Sequence, residues 1–257
     1  MRGLFTLFLT IIISTSFAQE NKQSIFTFGY THQLPIGDLA EYFGDNSSIG
    51  FSFLIEKENN IFYGIEGDYL FGGSIKDSTI FKNIITSTGA LIGADGHYAN
   101  INLMERGIAS YIFIGYAIHT YNSKTRYFPY LHNLNHNNLS GFYLSTGVGF
   151  LQHQIFIDTK NQNIPQLNEE MKKGYDRFTN GISGKFSADY KYYSKNGKFQ
   201  MGAGINYTMA YTKNRRDYNF KENEYYQNSK SWDKLLGFKV EIIIPIHRKN
   251  EEEFHYY

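Results

Sequence analysis

Few residues in this chain have types and spacing that could do chemistry. His132 and His136 stand four apart in YLHNLNHNN, the spacing at which two imidazoles on one helix face can hold a metal. The surrounding asparagines favour a loop, however, and no acidic residue is near, so a solvated loop is the stronger reading. GADGH (93–97) offers one aspartate, Asp95, in a glycine setting, whereas a calcium loop needs several oxygen ligands at set spacing. Ser145 and His153 could be read as nucleophile and base. They lie eight residues apart on one strand-like stretch, which separates them by more than about 20 Å. Pairs drawn from different strands are left open. GVG (147–149) and GAGIN (202–206) fall in strand-like stretches rather than at a strand-to-helix turn, so they are not phosphate loops. With no cysteine, thiol chemistry and disulfides are excluded. The reading is a non-enzymatic protein with no metal and no cofactor.

The elements that would position side chains are more legible. Residues 181–211 alternate strictly. Ile182, Phe186, Ala188, Tyr190 and Tyr192 share one parity, and Ser183, Lys185, Ser187, Asp189 and Lys191 the other. After SKNGK the rule resumes, with Met201, Ala203, Ile205, Tyr207 and Met209 opposing Gly202, Gly204, Asn206 and Thr208. A period of two is a β-strand with one apolar face. The same pattern marks strands near residues 24–34, 48–56, 61–72, 141–158 and 234–246. Residues 107–120 are apolar on both parities, so the register of that fourth strand is left open. Eight strands result.

Which face is inside follows from the compartment and from the connections. Arg2, the apolar run 4–13 and the small residues of Ser16-Phe17-Ala18 form a secretory signal peptide over 1–18, leaving 19–257 as a single domain. No cysteine follows the apolar run, which excludes a lipid anchor there. Tyr and Phe number 22 each and lift the aromatic content to 18%, a load that suits strands and membrane interfaces. The net charge of +1 and the lack of a basic block argue against nucleic acid. Long connections at 35–47, 73–105, 159–175 and 213–231 alternate with short turns at 57–60 and 194–198; the segment 121–140 is the exception. That asymmetry belongs to outer-membrane barrels, and an even strand count puts both termini in the periplasm. The prediction is an all-β, eight-stranded antiparallel up-and-down transmembrane barrel with its apolar face in lipid.

An eight-stranded barrel has an interior just wide enough to be filled by side chains. The inward face is read as mostly glycine and serine, with Glu66, Asp68, Lys185, Asp189, Lys191, Lys239 and Glu241 as its long members. Their mixed signs predict an internal ion-pair network rather than a water-filled pore. Two connections carry helix signals. GDLAEYFG has Asp38 and Glu41 at capping-box spacing, and PQLNEEMKKG has Pro165 in a first turn and Gly174 as a stop. The connections also carry aromatics, among them Tyr98, Tyr175, Tyr218 and Trp232. These either pack among themselves or form a partner surface.

The signal peptide ending SFAQ, the first strand closing in THQLPIGDLAEYFG and the aromatic strands resemble small outer-membrane β-barrel proteins of Bacteroidota-type bacteria. The last strand, LLGFKVEIIIPI, is similar to the terminal signal read by barrel-assembly machinery, but RKNEEEFHYY follows it here, where such signals usually end a protein on an aromatic. The resemblance implies a structural barrel, a subunit of an outer-membrane assembly or secretion complex, or an enzyme that remodels lipid A. With no catalytic constellation, the expectation is a structural or accessory subunit. It would contact outer-membrane lipid or lipopolysaccharide and dock to other barrels or lipoproteins. A small-solute channel and a lipid A-modifying enzyme are the alternatives.

Overall fold

The computed structural model of the chain describes residues 23–77, 79–119, 140–160, 162–194, 200–226 and 230–246. The segment 1–18 read as a signal peptide, His132 and His136, and the tail at 248–257 lie outside the described residues.

Eight long antiparallel strands close into one barrel. They are β1 (Gln23–Gly37), β2 (Asn46–Glu56), β3 (Ile61–Gly72), β4 (Asn102–His119), β5 (Gly141–Asp158), β6 (Phe178–Tyr193), β7 (Gln200–Asn214) and β10 (Lys230–Ile246). A short hairpin, β8 (Tyr218–Asn219) with β9 (Glu224–Tyr225), sits in the last long connection. Around the wall the order is β1-β10-β7-β6-β5-β4-β3-β2, so each strand pairs with its sequence neighbours and β1 closes on β10. Closure pairs every strand edge, which is what allows strands to cross lipid. Connections 38–45, 73–101, 159–177 and 215–229 gather at one end, here the loop end. The turn 57–60 and the outer ends of β1 and β10 mark the other, the turn end.

The apolar parity faces out on all eight strands. Phe28, Phe51, Ile65, Ile112, Val148, Ile182, Ile205 and Val240 are all well exposed, Ile182 to 78%. Continuous apolar exposure on this scale is the surface of a barrel lying in lipid. No helix of the described residues is long and apolar enough to cross a membrane. The structure also fixes β4. Ile108, Ile112, Ile114, Tyr116 and Ile118 face out, while Glu105, Ala109, Tyr111 and Ala117 are buried inside.

Six strands run further toward the loop end than the sequence pattern indicates, β4 beginning at Asn102 and β10 at Lys230. Inward polar side chains keep the ladder going there. Asn46 Nδ2 donates to Glu105 Oε2 at 2.8 Å, and His153 Nε2 lies 2.9 Å from Asp233 Oδ2, each pair spanning non-adjacent strands. Trp232 therefore lies within β10 on the outer face, its ring tilted against Tyr211 at 4.9 Å, and not in a loop.

Both short helices depart from their sequence signals. In α1 (Leu39–Tyr42) the Asp38 side chain makes no cap; its carboxylate accepts from the Trp232 N–H at 3.1 Å. Tertiary bonding to β10 wins over the local capping box. The second signal splits into a 3₁₀ turn, Pro165–Leu167, and α2 (Glu169–Tyr175), whose N-cap is Asn168, accepting from the N–H groups of Glu170 and Met171. Gly174 is not a stop. It lies inside α2 against Phe220, where an added Cβ would come within 2.1 Å of the ring.

Candidate functional site

The inside of the barrel is stacked in three layers. At mid-height are the seven charges picked out by sequence parity. Lys185 Nζ on β6 lies 2.9 Å from both Glu66 Oε1 and Asp68 Oδ2 on β3. Lys239 on β10 lies 3.1 Å from Asp189 Oδ1 on β6 and 3.2 Å from Glu241 Oε2. Lys191 on β6 donates to Glu241 Oε1 at 2.6 Å. The Lys239–Asp189 contact is an ion pair without hydrogen-bond alignment. Four carboxylates and three ammoniums thus form two groups of bridges, and both groups run between strands that are not neighbours in the wall. Small inward residues make room for them. A Cβ at Gly204 would fall 2.1 Å from Asp189 Oδ1, and one at Gly50 2.0 Å from Asp68 Oδ1.

The other two layers are apolar, which corrects the reading of the inward face as mostly small and polar. Toward the turn end Ile25, Leu54, Phe62, Ala117, Tyr143, Tyr193 and Ile243 pack together. Tyr143 donates to Glu56 Oε2 at 3.0 Å, and His119 lies 2.7 Å from Glu56 Oε1. Toward the loop end Leu39 and Phe43 drop from the first loop onto Leu70, Tyr111, Leu151, Ile155 and Leu235. The signal was in the sequence: Leu54, Phe62 and Leu70 interrupt the polar parity of their strands. Two small cavities lie at mid-height, one of about 20 Å³ lined in part by Ser145, Glu66, Lys191 and Lys239 and one of about 10 Å³ lined in part by Thr31, Asp68 and Glu241. Each has room for roughly one water molecule and not for a solute path.

The residues that could do chemistry are held apart or fully engaged. Ser145 lines the mid-height cavity. His153 is 1% exposed at the loop end, bonded to Asp233 and to the Thr179 hydroxyl at 2.9 Å, with the Phe43 ring edge-on at 5.3 Å. Asp95 Oδ1 accepts from the His97 N–H of its own turn at 3.1 Å. Among the described residues no group of three acids or histidines is placed to hold a metal ion.

Above the barrel the long connections form one folded cap. Loop 38–45 pairs with loop 73–101 through Gly44 N–H to Ser74 O at 2.7 Å and a bridge between Phe43 and Ile75. Loop 73–101 is tied to loop 215–229 by Lys221–Asp77 at 2.8 Å, by Lys82–Glu222 at 3.0 Å, and by Asn83 Nδ2 donating to Phe220 O at 2.7 Å. Arg216 forks onto Asp176 of loop 159–177. Burial pushes the Asp77 carboxyl up, but hydrogen bonds from Lys221 and Thr79 outweigh it and hold the group below the usual carboxylate value. At Asp176 burial prevails over Arg216 and raises the carboxyl.

The cap also sorts the loop aromatics. Tyr175 packs between Phe81 at 5.6 Å and Phe220 at 5.2 Å, and Tyr218 meets Phe220 and Tyr225 edge-on. Leu91, Ile157, Ile164 and Leu167 form an apolar centre beneath. Tyr175 and Tyr218 therefore hold the cap together. Tyr98 is 75% exposed and Tyr225 73% exposed, so these face outward from it.

No protein-family model matches the sequence, and a search of curated proteins finds no match. Among solved structures the chain is similar to Neisserial surface protein A, with 10% identity and a TM-score of 0.40 over 88% of this chain and 99% of that one. It is also similar to Ail, the attachment invasion locus protein of Yersinia pestis, with 10% identity and a TM-score of 0.38 over 88% of this chain and 100% of that one. A complex of Ail with the heparin analogue sucrose octasulfate gives 7% identity and a TM-score of 0.38 over the same shares.

Proposed function

We propose that the protein is a non-catalytic anchor in the outer membrane of a Gram-negative bacterium. In this reading residues 1–18 direct export, both termini are periplasmic, and the cap is extracellular. There it docks to other outer-membrane barrels or lipoproteins as an accessory subunit of an assembly or secretion complex. The observation that carries the reading is the combination of a filled interior with a prefolded cap. A lumen closed by two apolar layers and a belt of ion pairs leaves no route for solute. The cap is built of side chains bonded across loops, so its outer surface is ordered before any partner arrives, which lowers the entropic cost of binding.

The test is a pulldown of a tagged copy from its native membrane in mild detergent, with mass spectrometry of what co-purifies. Stoichiometric barrels or lipoproteins support the reading, and a Tyr98→Asp, Tyr225→Asp double variant should lose them. A protein recovered alone overturns it. Steady single-channel conductance would replace it with a channel, and an altered lipid A profile on deletion with an enzyme.

A further inference from the structure

The outer face of the β6–β7–β10 sector changes chemistry in consecutive rows toward the loop end. Cross-strand register sets Gly184, Met209, Lys234 and Ile36 in one row. Ile182, Tyr211 and Trp232 follow in the next, and Asn180, Lys213 and Lys230 in the row beyond. Arg215 joins that last row, its Nε donating to Asn180 Oδ1 at 2.6 Å. Lys230 Nζ stands 5.4 Å over the Tyr211 ring. Going outward, the surface passes from a mainly apolar row that also holds Lys234, to an aromatic row, to a cationic one.

Lys213 and Lys230 are direct cross-strand partners, an arrangement that like-charge repulsion disfavours. Three other cations at this end have acidic partners: Lys221 pairs with Asp77, Lys82 with Glu222 and Arg216 with Asp176. Among the described residues Lys213, Arg215 and Lys230 form no ion pair. Asp38, the acid bonded to this part of β10, directs its carboxylate to the Trp232 N–H and the Ser231 hydroxyl.

We infer that this row is a docking site for a phosphorylated lipid headgroup in the leaflet that meets the loop end. Two ammoniums and a guanidinium fork share this row, and a phosphate set among them would be held by charge-assisted bonds. The Tyr211–Trp232 pair sits at the depth where aromatic side chains mark the membrane interface. Ile182 in the same row and Met209 in the row below offer apolar wall to the acyl chains. A soluble anion would use the cations alone; an anionic amphiphile matches all three rows. The bound headgroup would also relieve the Lys213–Lys230 repulsion. This inference stands independently of the docking role of the cap.

Trp232 is the single tryptophan of the chain and lies in the row next to the cations, so its fluorescence reports on the site. Folded protein in mild detergent would be titrated with bisphosphorylated lipid A, with its dephosphorylated form, and with inorganic pyrophosphate. The expected result is a saturable change in Trp232 emission with the phosphorylated lipid. Binding should weaken on the order of a hundredfold on dephosphorylation or in the Lys213→Gln, Arg215→Gln, Lys230→Gln variant, from three cations near a membrane surface. A Lys213→Arg, Lys230→Arg variant should retain it. Heat-modifiable gel mobility reports folding; if the triple variant does not fold, Arg215→Gln alone should weaken binding about fivefold. Equal binding of the dephosphorylated lipid, indifference of the variants, or the same response to pyrophosphate at the same concentration would overturn the assignment.

Discussion

Lys185 Nζ on β6 lies 2.9 Å from Asp68 Oδ2 on β3, although β5 and β4 separate these strands around the wall. The contact crosses the inside of the barrel and braces opposite walls. A second Lys185 contact, to Glu66 at 2.9 Å, leaves one ammonium compensating two buried carboxylates.

Removing that ammonium should therefore cost more than losing one bridge. Lys185→Met leaves Glu66 and Asp68 side by side and uncompensated inside the barrel. The expected destabilisation is about 3–5 kcal/mol, measured by reversible urea unfolding in detergent. Adding Glu66→Gln and Asp68→Asn to the same chain should recover much of it. Equal stability of Lys185→Met and the native chain would mean the braces contribute nothing.

Gly204 is required by its neighbour and not by backbone conformation. An alanine there would set its Cβ 2.1 Å from Asp189 Oδ1 and 2.6 Å from Ala188 O. The carboxylate would have to leave Lys239, and the backbone oxygen cannot yield as easily. Gly204→Ala should lose about 1–3 kcal/mol in the same unfolding assay. Gly184→Ala is the control, because an added Cβ there meets only Gly147 O, at 3.9 Å.

The cap should loosen in acid. The folded Asp77 carboxyl is held below its unfolded value, so its contribution is complete above the unfolded carboxylate value of about 4 and is lost as the pH falls through the lower folded value. Below that window the Lys221–Asp77 tie between loops 73–101 and 215–229 is gone. Limited proteolysis of both loops should accelerate there, and Lys221→Met should show the faster cleavage already at neutral pH.

Opening the loop-end layer should destabilise the fold without making a pore. Phe43 is fully buried, with its edge on His153. Phe43→Ala should cost about 3–5 kcal/mol. Planar bilayers containing either protein should show no steady conductance, because the ion-pair belt and the Phe62–Tyr143 layer lie beneath. Steady conductance from the native chain would contradict the sealed interior.

Parity was enough to read most of the barrel. In β6 and β7 the alternation of Ile182, Phe186 and Tyr190 against Lys185, Asp189 and Lys191 assigns both faces, because a strand has a period of two and only one face can tolerate lipid. The seven inward charges were visible for the same reason, and so was their mixed sign. Parity failed where both faces are apolar. In β4 the interior takes Tyr111 and Ala117 while lipid takes Ile112 and Ile118, and only closure against β3 and β5 decides between them. The inward aromatics Phe62 and Tyr143 were missed because a filled lumen needs volume at its ends as well as charge at its centre.

The sequence by itself determined the strands, their faces and the loop asymmetry, since each rests on spacing along one chain. Contacts between residues far apart in sequence were decided only by tertiary structure. Which cation meets which acid depends on strands brought face to face by closure. Whether a loop aromatic packs or faces outward depends on neighbours from other loops, as Tyr175 and Tyr98 show. Asp38 makes the same point at the smallest scale: a local capping signal gives way to the Trp232 amide of a strand nearly two hundred residues later, because barrel closure puts that amide within reach.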